Sequence, residues 1–110
     1  MESQTIEFEG SGGITLIADA WGDPDADPIL FMHGGGQTRH SWGGAAELLA
    51  GKGWRTLSVD LRGHGDSGWS PNGDYEAVHF VADINAVLSQ LGRKAVLVGA
   101  SLGGRTATFV

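Results

Sequence analysis

Apolar residues come along this chain in short blocks separated by glycine-rich breaks, and the spacing inside the blocks changes from one to the next. Over 5–9, and again over 14–21 where Ile14, Leu16, Ala18 and Ala20 stand two apart, the alternation predicts two strands. Ser11-Gly12-Gly13 between them predicts a hairpin turn. Pro28-Ile29-Leu30-Phe31-Met32 and Ala95-Val96-Leu97-Val98 are unbroken apolar runs, as expected of strands covered on both faces, and 55–59 predicts one more strand. The period changes to three and four over 75–91. Ala77, Phe80, Val81, Ile84, Leu88 and Leu91 make one stripe, which predicts a helix with Asp74 as its N-cap and Gly92 as a left-handed C-cap. A shorter helix is predicted over 42–50, capped by Ser41 and stopped at Gly51, and a last one begins at Leu102.

The order β-β-β-α-β-α-β-(α) implies an α/β fold: a mostly parallel sheet with right-handed crossovers, entered through an N-terminal antiparallel hairpin. Residues 1–110 read as part of one domain. In such sheets ligands bind beyond the carboxyl ends of the strands. The glycine-rich loops after Met32 and after Val98 both lie at carboxyl ends, so they are expected to open on the same side.

Composition narrows the function classes. Apolar content of 41% with 18% charged residues fits a folded domain. The net charge of −6, with seven Lys and Arg among thirteen acids, does not supply the clustered cations that nucleic acid requires. The absence of cysteine excludes disulfides, thiolate metal sites and a Cys nucleophile. Four scattered histidines have no zinc-ligand spacing. The polar start Met1-Glu2-Ser3-Gln4 is no signal peptide and no apolar run is long enough to cross a bilayer, so a cytoplasmic address with no membrane partner is expected. Oligomeric state is not readable from these residues. The 19 glycines cluster between apolar runs without a repeat, which marks tight turns rather than low complexity.

Gly99-Ala100-Ser101-Leu102-Gly103 matches G-x-S-x-G, a pattern weak by itself in so glycine-rich a chain. Its context strengthens it: a buried strand precedes it and a helix follows, so the turn projects the Ser101 hydroxyl outward as a candidate nucleophile. The alternative is a plain strand-to-helix turn with an N-cap serine. An acyl-transfer oxyanion needs N–H donors from two segments. Leu102 is one candidate; Gly35, in the loop His33-Gly34-Gly35-Gly36, is the other, with Gly36 as its substitute. That loop lacks the Gly-Lys-Ser/Thr of a phosphate cradle.

Together, His33-Gly34-Gly35-Gly36, Asp60-Leu61-Arg62-Gly63-His64-Gly65-Asp66-Ser67 and Gly99-Ala100-Ser101-Leu102-Gly103-Gly104 resemble, in order, three motifs of the α/β-hydrolase family. The resemblance spans almost the whole chain. It implies a metal-independent Ser–His–acid hydrolase with no cofactor, whose small-molecule substrate is an ester, lactone or related acyl compound, working through an acyl-enzyme. It also implies that Asp60, Arg62 and His64 shape the turn after the fourth strand rather than react. Trp42 is similar to the aromatic residue that follows the oxyanion loop in the family, and Trp42 and His40 are candidate pocket residues. His33 is expected to shape its loop, and His79 to lie on a helix surface. Epoxide hydrolases and haloalkane dehalogenases of the family place Asp at the nucleophile, so Ser101 argues against them.

In that family the acid and histidine follow the nucleophile. None of the nine residues after Ser101 is Asp, Glu or His. The chain is therefore expected to be the N-terminal portion of a truncated α/β-hydrolase fold, inactive alone, with later strands and lid absent. A short ligand-binding module without catalysis, or a second chain supplying the triad, are the alternatives. An uncovered edge at 95–98 would favour aggregation.

Overall fold

The computed structural model describes residues 2–110. Strands β1 (Gln4–Glu9) and β2 (Thr15–Trp21) form the hairpin, joined by a 3-10 turn at Ser11–Gly13. Then come β3 (Pro28–Met32), α1 (Gly43–Ala50), β4 (Arg55–Val59), α2 (Ala77–Leu91), β5 (Val96–Gly99) and α3 (Leu102–Phe109). The sheet order is β1-β2-β4-β3-β5. β3 lies between β4 and β5 and parallel to both, with Leu30 opposite Leu57 and Leu97. β2 pairs antiparallel with β4, which attaches the hairpin to the parallel strands.

The two faces of the sheet follow from side-chain alternation. Leu30, Met32, Leu57 and Val59 join Leu16, Ala18, Phe80, Ile84 and Val87 in one core beneath α2 and α3. Ile29 and Phe31 point the other way, into a smaller cluster with Trp21, Ala46 and Ala50 beneath α1. On that second face β4 presents Thr56 and Ser58, both buried. Their hydroxyls donate to Ala46 O (2.8 Å) and Arg39 O (2.6 Å), so burial leaves neither unsatisfied.

Two helix-start expectations are corrected. Trp42 belongs to a 3-10 turn, Arg39–Trp42, whose cap is Thr38 through its acceptance of His40 N–H; Ser41 caps nothing. Gly51 ends α1 as expected, in right-handed geometry (φ −63°), and the left-handed residue that follows is Gly53 (φ +100°). Helix α2 starts at Ala77, not at 75. Its cap is Glu76, in a reciprocal box with His79, whose Nδ1 accepts Glu76 N–H at 3.2 Å. His79 is therefore a capping residue, and Asp74 serves through its carbonyl, which accepts from Arg62 Nη1 at 2.8 Å. Ala77 is exposed, and Val87 takes the inward place in the stripe. Gly92 is left-handed (φ +72°) as expected.

Candidate active site

The residue after β5 has to reverse the chain into α3 with almost no room. Gly103 donates its N–H to His33 O (3.1 Å), and a Cβ on Gly103 would strike the Met32 carbonyl. Only glycine lets α3 seat this closely on the end of β3. Ala100 N–H donates to Met32 O at 3.2 Å, so the turn after β5 is stitched to β3 on both sides of Ser101. Held there, Ser101 takes φ +53° and ψ −111°, the one positive φ outside glycine among the described residues. A side-chain-bearing residue in that region stores strain of about 1–3 kcal/mol. Its side chain is exposed at the N-terminus of α3.

The glycine loop after β3 meets this turn. A Cβ on Gly35 would lie 4.0 Å from Leu102 Cβ, and one on Gly34 would lie 3.6 Å from Ala100 O. The loop's amides are unequally engaged. Gly34 N–H donates to Gln37 Oε1 (2.9 Å), Gly36 N–H to His64 Nε2 (3.1 Å) and Gln37 N–H to Gly34 O (3.1 Å). Among the described residues, the N–H groups of Gly35 and Leu102 donate to nothing. Gly36, read from sequence as the substitute donor, is thus committed elsewhere. Gly35 and Leu102 remain as two free donors on adjacent segments, beside an exposed hydroxyl.

The turn after β4 is built of buried charge. Asp60 is fully buried and accepts from Arg39 N (2.6 Å), Arg39 Nη1 (2.6 Å) and Asp66 N (2.9 Å). Burial alone would raise its pKa, but the backbone bonds from Asp66 and Arg39, with the Arg39 guanidinium, outweigh burial and hold the carboxyl below the usual range. Arg39 also bonds Asp66 Oδ2 (2.9 Å) and lies with Nε 3.1 Å from Asp19 Oδ1, at ion-pair distance without hydrogen-bond alignment. Burial disfavours the Arg39 charge, yet these carboxylates raise its pKa further. Arg62 makes a bidentate pair with Asp83 of α2 (2.6 and 2.7 Å), which raises its pKa against the opposing effect of burial.

Both histidines of this region are tied to backbone. His33 is fully buried. Gly34 O can only accept, so Nδ1 carries the proton (2.8 Å) and Nε2 accepts Leu61 N–H (3.0 Å). Burial, above all, lowers the His33 pKa; nearby His64 lowers it too, while the bond to Gly34 and the charge of Asp60 act in the opposite sense. His64 lies against it, ring centroids 4.9 Å apart.

His40 is exposed, its Nδ1 3.8 Å from Asp19 Oδ2. Trp42 donates its ring N–H to Met32 O (3.1 Å) and stacks at a tilt on Phe31, which makes it a brace for the end of β3. Sequence reading missed Arg39, Asp19, Gln37 and Asp83; each acts through a partner distant in the chain, and no local signal marks them. Among the described residues no group of three or more His, Asp or Glu side chains is arranged to hold a metal ion, and no helix is long and apolar enough to cross a membrane.

The chain is 41% identical over 103 residues to an esterase of Mycobacterium tuberculosis, covering 93% of this chain and 33% of that one. It is 41% identical over 91 residues to an sn-1-specific diacylglycerol lipase of Mus musculus, covering 81% and 29%. An epoxide hydrolase from Vigna radiata superposes with a TM-score of 0.88 at 30% identity, covering 96% of this chain and 34% of that one. The chain thus spans about a third of the length of the relatives it matches. Residues 27–110, which include β3 through α3, match the family model described as alpha/beta hydrolase fold, and the chain belongs to that family.

Proposed function

We propose that this chain carries the nucleophile and the oxyanion-binding half of a serine hydrolase acting on small esters, lactones or related acyl compounds. The histidine and acid of the triad are supplied by residues C-terminal to Val110 in a longer protein, as its coverage of about a third of its relatives suggests. One observation carries the reading: an exposed serine held at φ +53°, beside two segments whose Gly35 and Leu102 N–H groups are free.

The Ser101 hydroxyl loses its proton to the histidine as its oxygen attacks the acyl carbon. The carbonyl oxygen becomes an oxyanion, to which Gly35 and Leu102 donate. Being preorganised, such donors cost no reorganisation as charge develops, and one of them is typically worth about 10²–10³ in rate. Helix α3 begins at Leu102, so its N-terminal dipole acts in the same direction. Collapse expels the alcohol, which takes the proton from the histidine and leaves an acyl-serine. Water then attacks that ester by the same steps and releases the acid. Nothing here requires a metal.

Labelling of the full-length protein with a fluorophosphonate probe tests this. Stoichiometric labelling that disappears in Ser101→Ala is the expected result. Ester turnover that persists in Ser101→Ala would sink the assignment. Ligand binding without labelling or turnover would point instead to a binding module on the same scaffold.

A further inference from the structure

We infer that His64 is a positioning residue for the oxyanion loop: by accepting the Gly36 N–H it holds the Gly35–Gly36 peptide in one orientation and so fixes the shape of the loop that presents the Gly35 N–H to substrate. The inference rests on the hydrolase reading above and assigns a specific task to a residue that sequence placed only in a turn.

Three successive glycines are the least self-ordering segment a chain can have. Here they form a turn closed by Gln37 N–H to Gly34 O (3.1 Å), with Gly36 at φ +78° and Gly35 outside the positive region. A positive φ at the third residue alone is the pattern of a type II turn. Types I and II differ in the orientation of their central peptide. That peptide joins Gly35 to Gly36, and neither residue has a Cβ to resist its rotation. Among the described residues its one polar partner is His64 Nε2, 3.1 Å from Gly36 N.

His64 is itself anchored. Arg62 O can only accept, so His64 Nδ1 carries the proton toward it (2.9 Å), and Nε2 is left as the acceptor Gly36 needs. The ring rests on His33, which holds Gly34 O and Leu61 N–H in the same tautomer. Arg62 is locked in turn by its bidentate pair with Asp83, inside the core of α2. A continuous rigid path therefore runs from α2 through Arg62 and His64 to Gly36. With this acceptor gone, the Gly35–Gly36 peptide rotates freely, and the loop that presents the Gly35 N–H loses its fixed shape. Misplacing a donor by about 1 Å costs on the order of 10²-fold in rate.

The experiment uses the full-length protein and 4-nitrophenyl acetate as probe. His64→Phe keeps a flat ring but removes the acceptor; His64→Gln restores an acceptor oxygen at similar reach. Expected are a 10- to 100-fold fall in kcat for His64→Phe with KM within about threefold, and recovery of most of it in His64→Gln. In the 15N-labelled wild type, a scalar coupling across the N–H···N bond should link Gly36 N to His64 Nε2, a readout that needs neither turnover nor a folded variant. Absence of that coupling, or a kcat for His64→Phe equal to wild type, overturns the inference. A wild type that shows the coupling but neither labels at Ser101 nor hydrolyses the ester sinks the hydrolase reading instead, and with it the catalytic task of His64.

Discussion

β3 has two parallel neighbours, and the turns that leave them are built in opposite ways. The turn after β4 is bound by buried charge: Asp60 with Arg39, and Arg62 with Asp83. The turn after β5 carries no ionisable side chain over 99–104 and is held by backbone bonds and glycine contacts alone. Strain at Ser101 sits in the uncharged turn, and the buried ion pairs sit in the other. The charged turn does not bond the Ser101 hydroxyl; through His64 it bonds the glycine loop beside it.

The contrast is broken most severely at Arg62. Arg62→Met leaves Asp83 charged and buried without its partner, and unfolding of the full-length protein in urea should show a loss of about 3–5 kcal/mol. Adding Asp83→Leu should regain most of it, because removing both charges also removes the desolvation cost. Leu57 comes next. It is 0% exposed in the core opposite Leu30, and Leu57→Ala should cost about 2–5 kcal/mol by the same measurement. A loss under about 1 kcal/mol would refute its place in the core.

Smaller and opposite in sign is Ser101→Gly. Glycine adopts φ +53° without a Cβ penalty, so thermal denaturation should show a gain of about 1 kcal/mol while fluorophosphonate labelling is lost. A loss of stability would mean that Ser101 is not strained. The smallest effect is in acid. A lowered His33 pKa means that the fold favours the neutral ring, so its contribution is whole above pH 6.5 and is lost as pH falls below that value. The lowered Asp60 pKa gives a second loss, beginning only below about pH 3.8. Two separate acid steps in urea-measured stability are expected, the upper one missing in His33→Asn.

Much of the fold was legible because its signals are local. The hairpin, the two-faced apolar run of β3, the α2 stripe and the Gly92 cap each depend on residues a few positions apart. The α2 N-cap was misplaced because Asp74 has the preferred side chain, whereas the box is closed by Glu76 and His79, an unusual pair. At the candidate site, Ser101, Gly35 and Leu102 were legible as a motif. The preference for Gly35 over Gly36 rested there on the motif alone, and its physical reason, the engagement of Gly36 N–H by His64, depends on where His64 ends up. Arg39 with Asp60, and Arg62 with Asp83, stand 21 residues apart in the chain, a separation no periodicity encodes.

By itself the sequence determined which segments become strands and helices, because burial and glycine conformation act over neighbouring residues. It also placed a serine between an apolar strand and a helix. Tertiary structure alone decided which amides stay free, which charges pair and which side of β3 bears strain. Hydrogen bonds and ion pairs are satisfied by whatever groups the packed sheet brings within about 3 Å, and only the assembled fold sets those distances.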